Sequence, residues 1–532
     1  MRYKLTRTEE FYQYKGLLVN SKIRSFFLGR ICEARNIPFS EETMNVYKKY
    51  GFIQEVKGIE VTYSKILLSA QSFVNRFLPQ YSAKNKKRFS NVTNNLRPND
   101  VIFSHPQPSI HKSIWIHLTC TRCQTTTRTS FVTFYCSKCK KKCYYCRHCF
   151  QMGRISSCTT LLKWTDQKLK ILSTAHHKLA WEGKLTMLQQ KASEELAESV
   201  RKGRYHLVNA VCGAGKTEIL FHMIYEALQR NQRVCVATPR TDVVLELYPR
   251  FLKAFPQTNI HAYYGGAKNN DCYAPLVLAT THQLYKYEKT FDVMIVDEAD
   301  AFPFTYDQTL RHAVMKSKKK CAPVIFVTAT PSNQLRAEVK ANNAFCSQIP
   351  IRYHNHLLPV PKMDSLWSYV KQIRKGVLPE KLLQWTKNKI AAKEPFIIFF
   401  PTIELMNEAL PLFQQIDDSI LSVSADDPER KEKVLLLRNE KIKGILSTTI
   451  LERGITIKNV QVAVVGAENK VFTSSALIQI AGRVGRNVAY PSGEIVFYHH
   501  GISHQMDQAI GEIERLNEEA KRILYERVET IV

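Results

Sequence analysis

From residue 205 onward, short apolar runs recur at the spacing of strands, separated by stretches long enough for helices. The runs are Tyr205–Val211, Arg233–Ala237, Pro275–Ala279, Phe291–Val296 and Val324–Val327, with a helix over Thr217–Gln229 after the first. Strands alternating with helices in this way predict a parallel, doubly wound sheet covered on both faces. Pro350, Pro359 and Pro361 mark a connector over 349–374. A second alternation follows, with strands at Phe396–Phe400, Gly444–Ser447, Val460–Val465 and Gly493–Tyr498. Two α/β lobes are therefore expected, at 161–348 and 375–532. Upstream, Leu161–Arg201 reads as helical and carries Trp164 and Trp181, while 1–115 reads as a mixed α/β accessory region.

The first lobe carries phosphate chemistry. Ala210-Val-Cys-Gly-Ala-Gly-Lys-Thr217 follows the first apolar run and opens the helix, and Val296-Asp-Glu-Ala-Asp300 closes the run Val293–Val296. A glycine-rich turn cradles phosphate only where a strand hands over to a helix, because there the backbone N–H groups converge on an anion. Gly213 and Gly215 are expected to shape the turn, Lys216 to reach the β- and γ-phosphates, and Thr217 with Asp297 to hold Mg2+. Glu298 is expected to orient the attacking water. The second lobe has no such loop, but Gln479-Ile-Ala-Gly-Arg-Val-Gly-Arg486 places Arg483 and Arg486 near the expected start of a helix. From there they are expected to reach across a cleft and neutralise transition-state charge.

The cysteines point to a metal. Seven of the fourteen fall within thirty residues: Cys120, Cys123, Cys136, Cys139, Cys143, Cys146 and Cys149. Each C-x2-C turn aims two thiolates at one tetrahedral ion, and two turns complete an S4 set suited to Zn2+. Cys120, Cys123, Cys136 and Cys139 make a compact ribbon; Cys120, Cys123, Cys146 and Cys149 make a longer one. Cys143 has no place in either, and a second ion on Cys136, Cys139, Cys143 and a fourth donor such as His148 or Cys158 also satisfies the spacing. Lys138, Lys140, Lys141, Lys142, Arg147, Tyr144 and Tyr145 surround these turns, basic heads and flat rings that suit a nucleic-acid strand.

Charge supports a polyanionic partner: 76 Lys and Arg against 47 Asp and Glu leave a formal net charge of +29. No apolar run approaches the ~20 residues needed to cross a bilayer, and the N-terminus has no secretory apolar core, so a soluble, intracellular protein is expected. The runs Lys84–Arg88 and Lys316–Lys320 read as solvated loops.

In order, Ala210–Thr217, Thr238-Pro-Arg240, Ala279-Thr-Thr-His-Gln283, Asp297–Asp300, Thr328-Ala-Thr330, Ser447–Thr456 and Gln479–Arg486 resemble the motif series of superfamily 2 helicases. The resemblance implies two tandem RecA-like motor lobes. Gly183-Lys-Leu-Thr-Met-Leu-Gln189 and Thr238-Pro-Arg-Thr-Asp-Val-Val-Leu-Glu-Leu247 depart from the DEAD-box RNA helicase pattern. With the upstream cysteine finger, Cys-Tyr-Tyr-Cys-Arg-His-Cys149 and Ser-Thr-Thr-Ile-Leu-Glu-Arg-Gly454, the chain is similar to the ComFA family of late competence proteins.

That resemblance implies an ATPase stimulated by single-stranded DNA that helps draw transforming DNA into the cytoplasm. It implies a place on the inner membrane face beside the uptake channel, and partnership with a phosphoribosyltransferase-like competence protein and a recombination mediator. It assigns zinc to Cys120, Cys123, Cys146 and Cys149, over a finger at 116–160, and leaves the N-terminal hundred-odd residues outside the match. Gln189 is then expected at the adenine edge, and Thr328 and Thr330 as couplers of nucleotide state to strand contacts. Arg240, Thr280, Thr281, Thr448 and Thr449 are expected on strand phosphates. A strand-separating helicase and a zinc-dependent binding protein that uses ATP as a switch are the competing classes.

Overall fold

The computed structural model describes residues 11–14, 17–20, 26–27, 30–49, 52–68, 111–164, 176–267, 273–453 and 457–529. The basic run 84–88 lies outside them. The chain divides into two compact units: residues 1–169 with 285–288 and 311–316, and the remainder.

The first unit is built from small antiparallel pieces. β1 (Phe11–Tyr14) pairs with β2 (Leu17–Asn20). β3 (Ile31–Glu33) and β4 (Ile53–Lys57) flank β9 (Thr160–Trp164). Leu161–Trp164 is thus a strand and not the start of a helix: Leu161 and Leu162 are buried, and pairing on both edges overrides a run too short to declare its own period. β5 (Ile59–Leu68) pairs with β6 (His111–Cys120), and β7 (Phe131–Cys136) with β8 (Lys141–Cys146). Phe26, Phe27, Met44, Tyr47, Phe52, Ile53 and Leu162 form a small core. Lys316, expected in a solvated loop, is buried in this unit and donates to the Tyr285 carbonyl (2.9 Å), and burial pushes its pKa down to about 8.

The second unit holds two parallel sheets. The seven-stranded one comprises β10 (His206–Ala210), β11 (Val234–Thr238), β12 (Ile260–Tyr263), β13 (Leu276–Thr280), β14 (Val293–Asp297), β15 (Val324–Thr328) and β16 (Phe345–Ile349), in the order β12-β13-β11-β14-β15-β10-β16. Every residue of β10, β11, β13, β14 and β15 is buried, as expected where helices cover both faces. The six-stranded sheet comprises β17 (Lys362–Ser365), β18 (Phe396–Phe399), β19 (Leu421–Val423), β20 (Gly444–Ser447), β21 (Gln461–Val465) and β22 (Ile495–His499), in the order β17-β22-β21-β18-β20-β19. β17 falls in the segment read as a connector; its pairing with β22 makes it an edge strand of this sheet. These are the two tandem RecA-like lobes.

Strand order positions the site. β14, β15 and β10 are consecutive in the first sheet, so their carboxyl ends bring Asp297, Thr328 and the loop after Ala210 side by side. Open α/β sheets bind ligands along that edge.

Candidate functional site

β10 hands over to the helix Glu218–Gln229 through a turn whose Gly213 and Gly215 have φ of +84° and +75°, conformations that favour residues without a Cβ. Gly215 also has a steric reason: a Cβ there would stand 2.3 Å from Gln189 Nε2. Gln189 donates from Nε2 to the Ala214 carbonyl (2.8 Å), and its Oε1 accepts from Thr186 N–H (2.7 Å) as the reciprocal half of a capping box on the helix Met187–Arg201. Its amide braces the phosphate loop and caps a helix, a use the sequence reading did not anticipate. Lys216 Nζ donates to the Ala210 carbonyl at 3.3 Å.

Across the loop, Asp297 ends β14 and its carboxyl is pushed up to about 7, first by burial and then by the charge of Glu298, with Lys216 pulling the other way. Glu298 is held at φ +54°, a left-handed conformation that a glutamate adopts at a cost of about 1–3 kcal/mol. Its N–H donates to Asp297 Oδ1 (2.9 Å), and its buried Oε2 has no hydrogen-bond partner.

The second lobe meets these residues through its arginines. Arg483 and Arg486 do not start a helix: the helix Ser474–Ala481 ends before them, and they lie on the turn that follows. Two glycines fix that turn. A Cβ on Gly482 would lie 2.4 Å from Cys212 Cβ, and one on Gly485 (φ +68°) 2.3 Å from the Pro491 carbonyl oxygen. Buried Arg483 donates from Nε to the Glu452 carbonyl (3.0 Å), and burial, then the charge of Arg486, lowers its pKa to about 9. Arg486 Nε donates to the Gly482 carbonyl (2.7 Å). Lys216, Thr217, Asp297, Glu298, Arg483 and Arg486 line one cavity of about 700 Å³, together with Gln189, Gly213, Gly215 and Trp181. All the expected nucleotide residues are thereby brought together.

The structure gives roles to Arg453 and Arg352, which the motif reading left without one, and partners to Asp300, Thr328 and Thr330. Arg453 sends Nη2 to Asp300 Oδ2 (2.8 Å) and Nη1 to Asp300 Oδ1 (3.3 Å), and Nη1 lies 3.5 Å from Glu298 Oε2. Burial opposes charge on Asp300, but the Arg453 guanidinium holds its carboxyl well below the usual range. Thr330 Oγ1 donates to Asp300 and lies 2.6 Å from Ser475 Oγ on the second lobe, while Thr328 Oγ1 accepts from the Thr330 N–H (3.1 Å). Arg352, fully buried, donates from Nη1 to the Gly485 carbonyl and from Nη2 to the Val484 carbonyl, both at 2.7 Å, and the N–H of Tyr353 bonds the Gly213 carbonyl (3.0 Å). Residues 352–353 therefore tie the phosphate loop to the arginine turn. Cys212 makes a third tie, its Sγ 3.1 Å from Gln479 Oε1.

The expected strand contacts divide. Arg240 is committed to the second lobe, at the Ile450 carbonyl (3.3 Å) and Glu452 (3.6 Å). Thr280 and Thr281 are buried, whereas Thr448 and Thr449 are partly exposed.

In the first unit eight of the nine cysteine sulfurs form two groups, Cys120 with Cys123, Cys146 and Cys149, and Cys136 with Cys139, Cys143 and Cys158, each with all four Sγ within 4.8 Å of one another. In the first group Cys120–Cys149 and Cys123–Cys146 are 3.7 and 3.6 Å apart. Zinc–sulfur bonds of about 2.3 Å in a tetrahedron require sulfur separations of about 3.8 Å, so these donors fit Zn2+. Buried Arg122 donates to the Cys149 carbonyl (2.9 Å) and the Met152 carbonyl (3.1 Å), holding the second turn. His148 Nε2 lies 2.8 Å from Ser130 Oγ and belongs to neither group.

Three families match the chain: the competence protein ComFA N-terminal domain over residues 85–163, the type III restriction enzyme res subunit over 182–333, and the helicase conserved C-terminal domain over 378–488. The first match begins at 85, so part of the region expected to lie outside the family falls inside it. Competence protein ComFA of Bacillus subtilis is 40% identical over 404 residues, 76% of this chain and 86% of that protein. Competence protein ComFA of Streptococcus pneumoniae is 38% identical over 381 residues, 71% of this chain and 86% of that protein. Among solved structures, S. cerevisiae Dbp5 bound to RNA and ADP BeF3 has a TM-score of 0.46 at 14% identity, covering 62% of this chain and 91% of that one.

Proposed function

Because the chain belongs to the ComFA family, a competence-related, helicase-like ATPase of superfamily 2, we propose that it is a motor that uses ATP to move single-stranded DNA during uptake of transforming DNA. The observation that carries this reading is one cavity lined by Lys216, Asp297 and Glu298 from one lobe and by Arg483 and Arg486 from the other. A nucleotide gripped by both lobes couples its own hydrolysis to their separation, the movement a motor needs.

In this reading Lys216 and the backbone around Gly213 and Gly215 grip the phosphates. Thr217 and Asp297 hold Mg2+, which offsets phosphate charge when bound. Glu298, whose Oε2 accepts no hydrogen bond and lies 3.5 Å from Arg453 Nη1, orients the attacking water, and Arg483 and Arg486 neutralise charge gained in the transition state. Gln189 holds the loop in shape, with its second amide hydrogen left for the base. DNA phosphates are held without reading sequence, which suits a transporter of arbitrary DNA. Cys120, Cys123, Cys146 and Cys149 hold Zn2+ and shape a finger that captures the strand. Among the described residues no helix is long and apolar enough to cross a membrane; a peripheral place at the uptake channel, beside a phosphoribosyltransferase-like competence protein and a recombination mediator, completes the proposal. The test is ATP turnover with and without single-stranded DNA: stimulation that disappears in Lys216→Ala supports the motor, and turnover indifferent to DNA overturns it.

A further inference from the structure

We propose that Cys136, Cys139, Cys143 and Cys158 bind a second zinc ion, which folds the tip of the β7–β8 hairpin and presents its lysines. The Sγ atoms of Cys136 and Cys158 are 3.7 Å apart, as are those of Cys139 and Cys143, and all four lie within 4.8 Å of one another. Disulfides would hold paired sulfurs at about 2.05 Å. The two 3.7 Å separations instead match the ~3.8 Å edges of a tetrahedron that an ion about 2.3 Å from each sulfur would require.

The backbone is arranged for it. Cys136 ends β7, and the chain reverses through a turn in which Lys140 has φ +54° and its N–H bonds the Cys136 carbonyl (2.8 Å). Cys143 follows on β8. Cys158, fifteen residues later in the sequence, is brought back because Ser157 N–H bonds the Tyr144 carbonyl (2.9 Å) and Ser157 Oγ accepts from Tyr144 N–H (3.1 Å).

Packing gives the second argument. An isolated two-stranded hairpin is marginal in water. The fully buried residues of β7 and β8 are Cys136, Cys143 and Cys146, all cysteines, and the cross-strand ring pair Phe134–Tyr145 stays half-buried, so apolar side chains supply only part of the hairpin's core. A bound ion supplies that missing folding energy. The two sets interleave along the chain, and Cys143 and Cys146 on the same strand join one site to the other. Lys138, Lys140, Lys141 and Lys142 are exposed on this hairpin beside Tyr135, which is 67% exposed and whose hydroxyl donates to the Lys140 carbonyl (3.0 Å). The second ion thereby fixes a basic, aromatic surface for a strand of nucleic acid.

The test counts zinc by atomic emission in the purified full-length chain. The expected values are two equivalents in the wild type, one in Cys143→Ser and in Cys158→Ser, and none in the double variant Cys120→Ser/Cys143→Ser. Cys158 is exposed, so its replacement disturbs the fold least, and basal ATP turnover of both single variants checks that the lobes remain folded. One equivalent in the wild type that both serine variants retain overturns the proposal. Zinc lost from Cys143→Ser but not from Cys120→Ser leaves this site standing and instead removes the assignment of Cys120, Cys123, Cys146 and Cys149.

Discussion

Arg453 forms a forked ion pair with Asp300, Nη2 to Oδ2 at 2.8 Å and Nη1 to Oδ1 at 3.3 Å, with both side chains almost wholly buried. It joins the last residue of the Asp-Glu-Ala-Asp tetrad to the second lobe, 3.5 Å from the unsatisfied oxygen of Glu298. Arg453→Ala strands a buried carboxylate, and loss of one partner of such a pair costs about 3–5 kcal/mol. The variant is expected to melt at a lower temperature and to lose DNA-stimulated turnover. Arg453→Lys keeps the charge without the fork and should fall between. Calorimetry and a coupled ATPase assay check both, and wild-type stability in Arg453→Ala contradicts the pairing.

Glu298→Gln preserves shape and the backbone bond to Asp297 but removes the basic oxygen. Turnover is expected to fall by at least 100-fold while ATP affinity stays within a few-fold, trapping a complex that releases DNA slowly. Filter binding with labelled ATP separates the two quantities; affinity that falls as far as turnover shows that Glu298 binds nucleotide instead.

Burial and then the charge of Glu298 push the Asp297 carboxyl up to about 7, above an ordinary carboxylate. A raised carboxyl means the folded state holds a proton that the unfolded chain has released, so stability falls as pH rises from about 4 through 7. Asp297→Asn carries no such charge. In a chelating buffer it should gain on the wild type as pH rises from 5 to 7, by at most about 1.4 kcal/mol per unit, and the gain should level off above 7. Parallel stability profiles for the two proteins contradict the shift.

Arg352 contributes through position, since it bonds the carbonyls of Val484 and Gly485 rather than lining the cavity. Arg352→Met removes the donor to the buried Val484 carbonyl, at about 1–3 kcal/mol, leaves the Gly485 carbonyl to His354 Nε2 alone (3.1 Å), and loosens the turn that carries Arg486. A fall in kcat of about tenfold or more with KM for ATP little changed is expected. A rise in KM alone assigns Arg352 to ground-state binding.

The central strands were legible because a parallel strand buried on both faces is apolar throughout, as Val293–Val296 and Val324–Val327 are. Edge strands hide: β16 reads Phe-Cys-Ser-Gln-Ile with three exposed positions, and β17 and β19 are four and three residues long. The phosphate loop and acidic motif could be read locally because their chemistry is local to a strand end. Arg453 and Arg352 could not, since their partners lie 153 and 132–133 residues away and only the fold chooses them. The cysteine spacing allowed several pairings, and it was the return of Cys158 to β8 that selected the grouping.

Streptavidin displacement from the end of a biotinylated single strand tests the motor directly, because it requires directed movement and no strand separation. With ATP, the wild type is expected to speed displacement well above the spontaneous rate, and Lys216→Ala and Arg486→Ala are expected to leave it at that rate while still binding the strand. Wild-type protein that hydrolyses ATP on single-stranded DNA yet never displaces streptavidin from either end would contradict the account.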